Sequence, residues 1–310
     1  MKPDSVTYNK YGFSPGNVYR RNDRLYYDNR NIINKFIGLD TNNLGREAIA
    51  NADVSTFKGC DIKYVTTGAS VFDAYLSYLM TYWFSPVNGK VIDPFAGGIT
   101  RGAVCSMLGR KYTGIDLSKK QIDANNNTVN EVLKKNIQYI CDDSLCYKID
   151  DVYDFLITCP PYYSLERYSK DERDLSNKSI DDFNKLYSSI LTKYIKALRD
   201  RSFVVVVVGD YHHTKRYMLD SVTIDAAQDA GAYLYDVLYI NNEGPTSSLT
   251  GSNQFRHFGI IRSGCEKALI FYKGEVGDAA NRFNELLAIN EYNGTFLKPI
   301  DCINRWGGAC

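Results

Sequence analysis

Five consecutive valines, Val204–Val208, restrict what this chain can fold into more than any other feature. A strand with one face in water alternates apolar and polar residues, so five β-branched apolar residues in a row leave no solvent face. Such a run belongs in the interior of a parallel sheet covered by helices on both sides. The rest of the sequence agrees. Short apolar runs predict seven strands, at residues 90–94, 111–116, 136–141, 153–158, 202–209, 232–240 and 267–272. Helical spacing of apolar residues predicts helices at 71–83, 102–109, 118–135, 180–198 and 222–230, with Ser118 as a cap and Gly109 and Gly231 as stops. This alternation predicts a doubly wound α/β sheet, which binds ligands at the carboxyl ends of its strands.

Composition narrows the function classes. The 310 residues are 44% hydrophobic and 24% charged, with a net charge of +1, which excludes a disordered chain. The same neutrality excludes a protein that coats nucleic acid by bulk charge, so a nucleic-acid partner must meet a local patch. No stretch approaches the roughly 20 apolar residues of a membrane span, and the first ten residues are polar, so no membrane partner and a cytoplasmic location are expected. The eight cysteines form no CxxC pair and no Cys/His set with metal spacing, so free thiols and no metal are expected. Monomer and homodimer both fit. The 25 tyrosines fit both a compositional bias and a stacking surface.

Residues 1–65 read as an N-terminal arm, 66–275 as one catalytic domain and 276–310 as a C-terminal extension. The stretch from Asn17 to Tyr27 sets aromatics beside arginines, which suits a surface touching backbone and bases; an irregular arm packed on the domain fits equally.

Two constellations carry chemistry. The first is Val91-Ile-Asp-Pro-Phe-Ala-Gly-Gly-Ile-Thr-Arg-Gly, a strand, a glycine turn and a helix start. Its glycines let backbone N–H groups approach a ligand, and the helix N-terminus favours a negative group there. The next strand ends in Gly114-Ile-Asp, about 20 residues on, where an acidic side chain can take ribose hydroxyls. The third strand is followed by Asp142, Asp143 and Ser144, at the edge where an adenine ring would lie. The second constellation, Cys159-Pro-Pro-Tyr-Tyr, directly follows the fourth strand. Two prolines hold the backbone rigid and leave their carbonyls free. A rigid carbonyl beside an aromatic ring can grip a planar amine: the carbonyl accepts an amino hydrogen while the ring stacks on the heterocycle.

The run Asp93-Pro-Phe-Ala-Gly, then Gly114-Ile-Asp, then Cys159-Pro-Pro-Tyr resembles the S-adenosylmethionine-dependent amino-methyltransferases of DNA, which methylate adenine N6 or cytosine N4. It is more closely similar to a group of phage and prophage DNA methylases with Ala-Gly-Gly before the first helix, a Cys-Pro-Pro-Tyr turn and an Arg-Asp-Leu-Ser stretch, here Arg173–Ser176. The resemblance covers about residues 70–273. It implies a mostly parallel, seven-stranded, Rossmann-like methyltransferase sheet and double-stranded DNA as partner. It also implies S-adenosylmethionine held by Asp93, Pro94, Phe95, Ala96, Gly97, Gly98, Thr100, Asp116, Leu117, Asp142, Asp143 and Ser144. Cys159, Pro160, Pro161 and Tyr162 would form the catalytic turn, acting on a base flipped out of the duplex. Two departures stand out. Ile99 occupies the place of the pattern's second glycine, and Cys159 that of its Asp, Asn or Ser.

Further candidates for substrate contact are Tyr163, Glu166, Arg167, Asp174, Asp210 and Arg256, the last within a segment, 241–265, that fits either target recognition or an ordinary surface loop. His212 and His213 are adjacent and would point apart, a poor metal pair. The alternatives are an RNA, protein-amide or small-molecule methyltransferase on the same fold, a non-catalytic binding protein on that scaffold, and a pyrimidine-C5 enzyme using Cys159 as nucleophile.

Overall fold

The computed structural model describes residues 16–21, 23–37, 71–128, 136–163, 169, 171–212, 216–241, 247–261 and 263–292. The seven expected strands are present, joined by two more. In chain order the elements are β1 (Val18–Arg20), α1 (Arg24–Phe36), α2 (Ala74–Phe84), β2 (Lys90–Asp93), α3 (Thr100–Met107), β3 (Lys111–Asp116), α4 (Lys119–Thr128), β4 (Ile137–Cys141) and β5 (Tyr153–Thr158). They continue with α5 (Ile180–Lys196), β6 (Leu198–His212), β7 (Arg216–Met218), α6 (Leu219–Asp229), β8 (Ala232–Asn241), α7 (Ser247–Phe258), β9 (Cys265–Lys273) and α8 (Ala279–Tyr292).

The sheet order is β1-β8-β9-β6-β5-β2-β3-β4, with β7 folded back on β6. Strands β2 to β6 run parallel to one another, and β9 lies antiparallel between β6 and β8. The chain leaves β2 towards β3 and β4, then returns to β5 on the other side of β2. That makes the carboxyl ends of β2 and β5 the switch point where such sheets bind ligands.

The valine run sits at the heart of this sheet, with Ser202–Gly209 buried throughout. Its side chains divide between two cores. Phe203, Val205 and Val207 join Leu76, Leu79, Phe84 and Val104 on one face; Val204, Val206 and Val208 join Phe183, Tyr187, Leu191 and Ala226 on the other. Helices therefore cover both faces, as the run demanded.

Several boundaries moved for identifiable reasons. Helix α2 begins at Ala74 rather than residue 71, because Asp73 caps it by accepting the Tyr75 and Leu76 amides at 3.0 Å each. Strand β6 runs past Gly209 because β7 pairs with its end, His212 opposite Arg216. The segment 241–265 holds a helix, α7, where a loop was expected.

The arm and the extension are part of the fold where they are described. Strand β1 extends the sheet in parallel with β8, and Tyr19, Ile33 and Ile37 lie in the core. The aromatic and arginine residues near Tyr19 are thus partly spent inward: the Tyr19 hydroxyl donates to Asp73 Oδ1 at 2.9 Å. From the extension, Asn290 of α8 is fully buried, accepts from Arg110 Nη2 at 2.9 Å and donates to the Tyr82 carbonyl at 2.7 Å. Among the described residues, no helix is long and apolar enough to cross a membrane.

Candidate active site

Asp93 ends β2 and is fully buried. Its Oδ2 accepts Arg101 Nε at 2.6 Å and the Tyr112 hydroxyl at 2.7 Å; its Oδ1 accepts the Thr158 hydroxyl at 2.6 Å and the Phe95 amide at 3.0 Å. Four protein donors therefore occupy the carboxylate, and its part in the site is to shape the turn from within. Arg101, the second residue of α3, reaches back and donates through Nη2 to the Phe95 and Ala96 carbonyls at 2.7 and 3.0 Å. Burial works against the Arg101 charge, yet Asp93, Tyr112 and Cys159 together hold its pKa above the usual guanidinium value.

The rest of the β2–α3 turn is tied down atom by atom. Ser144 Oγ donates to the Pro94 carbonyl at 2.6 Å, Asn125 Nδ2 to the Gly97 carbonyl at 2.8 Å, and the Tyr139 hydroxyl to the Ile99 carbonyl at 3.0 Å. The left-handed φ of 51° at Gly97 is one that side chains seldom adopt. Gly98, half-buried, precedes Ile99, so the turn closes without a glycine at position 99. Thr100 is buried at the helix start. The second close approach is at Gly114, where a Cβ would lie 2.8 Å from that of Ala96.

Asp116 ends β3 with a half-exposed carboxylate. Its Oδ2 accepts the Gly97 amide at 2.8 Å and its Oδ1 the Ser118 amide at 2.9 Å. Beside it lie Leu117, whose carbonyl accepts the Cys141 thiol at 3.8 Å, and Asp142, whose amide donates to the Asp116 carbonyl at 3.2 Å. Asp143 accepts the Leu145 amide at 2.8 Å and so organises the following turn.

The Cys-Pro-Pro-Tyr turn leaves β5, the strand next to β2. The Thr158–Asp93 bond couples the roots of the two turns directly. Pro160 is buried, while Cys159, Pro161 and Tyr162 are half-buried. The Tyr162 ring lies against Gly209 of β6, where a Cβ would meet Cε2 at 3.1 Å. Its hydroxyl is 3.3 Å from Cys159 Sγ and donates to Glu266 Oε1 at 3.1 Å. Burial, together with Cys159 and Glu266, pushes the Tyr162 phenol well above its ordinary pKa, so it stays protonated. Tyr163 has a left-handed φ of 52°, and its ring packs against Phe183 and Tyr217 at 5.6 and 5.7 Å between centroids.

Two of the substrate candidates, Asp174 and Asp210, have structural partners. Asp174 accepts the Ser176 amide and hydroxyl at 2.9 and 2.7 Å and the Ser169 hydroxyl at 2.8 Å, which commits it to a turn. Asp210 accepts Arg216 Nη1 at 3.2 Å and lies 3.6 Å from Lys267 Nζ, bracing the β6–β7 hairpin. Arg256 is exposed on α7. Glu166, Arg167 and His213 lie outside the described residues, as does the side chain of His212. Among the described residues no group of three His, Cys, Asp or Glu could hold a metal ion.

Sequence reasoning passed over Arg101 and Glu266. Arg101 had a local signal, an arginine just inside the helix after a glycine turn. Glu266 had none, because only the antiparallel direction of β9 carries its first residues to this edge of the sheet.

No protein-family model matches the chain, and no curated protein matches it. Solved structures show partial likenesses. A methyltransferase from Pyrococcus furiosus aligns over 82% of this chain and 100% of its own, at 14% identity and a TM-score of 0.46. TrmN from Thermus thermophilus aligns over 65% of this chain, at 13% identity and a TM-score of 0.45; the match spans 49% of the TrmN chain. An O-methyltransferase of a trans-AT polyketide synthase multienzyme from Brevibacillus brevis, in complex with S-adenosyl-L-homocysteine, aligns over 75% of this chain and 82% of its own at 10% identity, with a TM-score of 0.43.

Proposed function

We propose that this protein is an S-adenosylmethionine-dependent methyltransferase that modifies an exocyclic amino group, adenine N6 or cytosine N4, of a base flipped out of double-stranded DNA. The observation that carries the reading is the 2.6 Å bond from Thr158 to Asp93, which couples a glycine turn to a Cys-Pro-Pro-Tyr turn at the switch point of the sheet. The residues present fit the cofactor. The half-exposed Asp116 would take the ribose hydroxyls, Gly97 and Gly98 would let the backbone approach, and Asp142 and Asp143 would border the adenine. When bound, the cofactor supplies an electrophilic methyl group. The chain's own residues position the amine: the Pro160 carbonyl and Cys159 take its hydrogens, and Tyr162 stacks on the ring. Catalysis on this reading is mainly orientation.

DNA is favoured as substrate by helix α7. Its end exposes Phe255, Arg256, His257 and Phe258, a mixture suited to phosphates and base faces. Arg216 ties this region to the site, donating to the Ile261 carbonyl at 2.6 Å from a hairpin whose Tyr217 touches Tyr163. Incubation with DNA and cofactor, digestion to nucleosides and mass spectrometry for N6-methyladenine and N4-methylcytosine tests the reading. Absence of both bases would remove it.

Two substitutions probe the roles. Asp116→Ala is expected to weaken cofactor binding at least about ten-fold, or 1.4 kcal/mol, measured by calorimetry; unchanged affinity sinks the ribose assignment. Cys159→Ser keeps the size of the side chain and a hydrogen-bonding group but cannot form a thiolate, so it should retain appreciable activity. An inactive serine variant, together with a covalent adduct trapped on DNA containing 5-fluorocytosine, would move the enzyme to the C5 class.

A further inference from the structure

Glu266 is the second residue of β9, and the antiparallel register sets it opposite Gly209, against which the Tyr162 ring lies. Its Oε1 accepts the Tyr162 hydroxyl at 3.1 Å, and that hydroxyl is 3.3 Å from Cys159 Sγ. Its Oε2 lies 3.3 Å from Arg21 Nη2, and Arg21 Nε lies 3.4 Å from Asp73 Oδ2. A chain of polar groups therefore runs from β1 to the catalytic turn, with the Glu266 side chain only 19% exposed.

Chemistry decides the direction of these bonds. A carboxylate has no proton to give, and a phenol has one. Tyr162 therefore donates its hydrogen bond to Glu266 and keeps its proton. The bond between Cys159 and Tyr162 then runs from the thiol to the phenolic oxygen, and the tyrosine proton is drawn away from the sulfur.

We propose that Glu266 is a positioning residue for the amino-methyl transfer: by accepting the Tyr162 hydroxyl's hydrogen bond it makes Cys159 the donor to Tyr162, so that the sulfur meets the target amine as an acceptor. Arg21 balances the carboxylate charge from the side away from Tyr162. The arrangement has a second consequence. A thiolate at Cys159 would be favoured by the Arg101 cation but opposed by the Glu266 carboxylate behind the Tyr162 hydroxyl, so loss of the Glu266 charge should ease its formation.

The proposal rests on the amino-methyltransferase reading, but its main test needs neither cofactor nor DNA. The full chain is alkylated with iodoacetamide across the thiol titration range, and the Cys159 peptide is followed by mass spectrometry. Glu266→Gln removes the charge and lets the Tyr162 proton turn to the sulfur, so alkylation of Cys159 at neutral pH should rise about ten-fold, equivalent to one pKa unit. Glu266→Asp keeps the charge beside Arg21 but withdraws the acceptor by one methylene; it should shift the rate in the same direction and serves if the glutamine variant does not fold. In a Tyr162→Phe background, Glu266→Gln should change the rate less than about two-fold, because the coupling runs through the hydroxyl. Unchanged alkylation in both Glu266 variants overturns the proposal. So does an increase that persists undiminished without the hydroxyl, which would be plain loss of charge. If the alkylation pattern holds while the wild-type protein methylates no DNA, the relay stands and the methyltransferase reading falls.

Discussion

Asp93→Ala is expected to destabilise the protein by about 3–5 kcal/mol, the usual loss when one partner of a buried ion pair is removed. Arg101, 5% exposed, would keep its charge in the interior without its carboxylate. The Tyr112 and Thr158 hydroxyls would lose their acceptor at the same time. Measured as a fall in the urea midpoint, such a loss is a large share of the roughly 5–15 kcal/mol that holds a domain together. Asp93→Asn should cost less, since the amide oxygen still accepts, but it too leaves Arg101 without an anion. A loss below about 1 kcal/mol in the alanine variant would mean that the turn is held without Asp93.

Tyr162→Ala is expected to lower methylation about five- to 150-fold, from the roughly 1–3 kcal/mol that stacking contributes per base. Cofactor affinity should stay near the wild-type value, because the ring lies against Gly209 of β6 and its hydroxyl meets Glu266 of β9. Parallel measurements of methylated product and calorimetric cofactor binding check both halves. Wild-type methylation in this variant would place the base pocket elsewhere. Tyr162→Phe keeps the ring but removes the hydroxyl between Cys159 and Glu266, so it should retain more activity than alanine and less than the native residue.

The doubly wound sheet could be read from local patterns, because burial on two faces forbids the alternation that a half-exposed strand requires. Strands β3 and β5 fall on the predicted residues, since short apolar runs between turn formers have few other ways to hide from water. The two chemical turns were equally legible, because each is written in a handful of consecutive residues. The first 60 residues resisted such a reading. The strand described there, β1, is three residues long and owes its place to β8, more than 200 residues away in sequence, so no local period could reveal it.

The sequence by itself therefore determined the strand and helix alternation, the glycine turn after β2 and the proline turn after β5. These depend on backbone sterics and on local apolar spacing. Only the tertiary structure decided which charges meet them. Arg101 turns back on Asp93, Asn290 reaches Arg110 across 180 positions, and Glu266 meets Tyr162 across 104. Such contacts follow from strand order and direction, and a reversed β9 would carry Glu266 to the opposite end of the sheet.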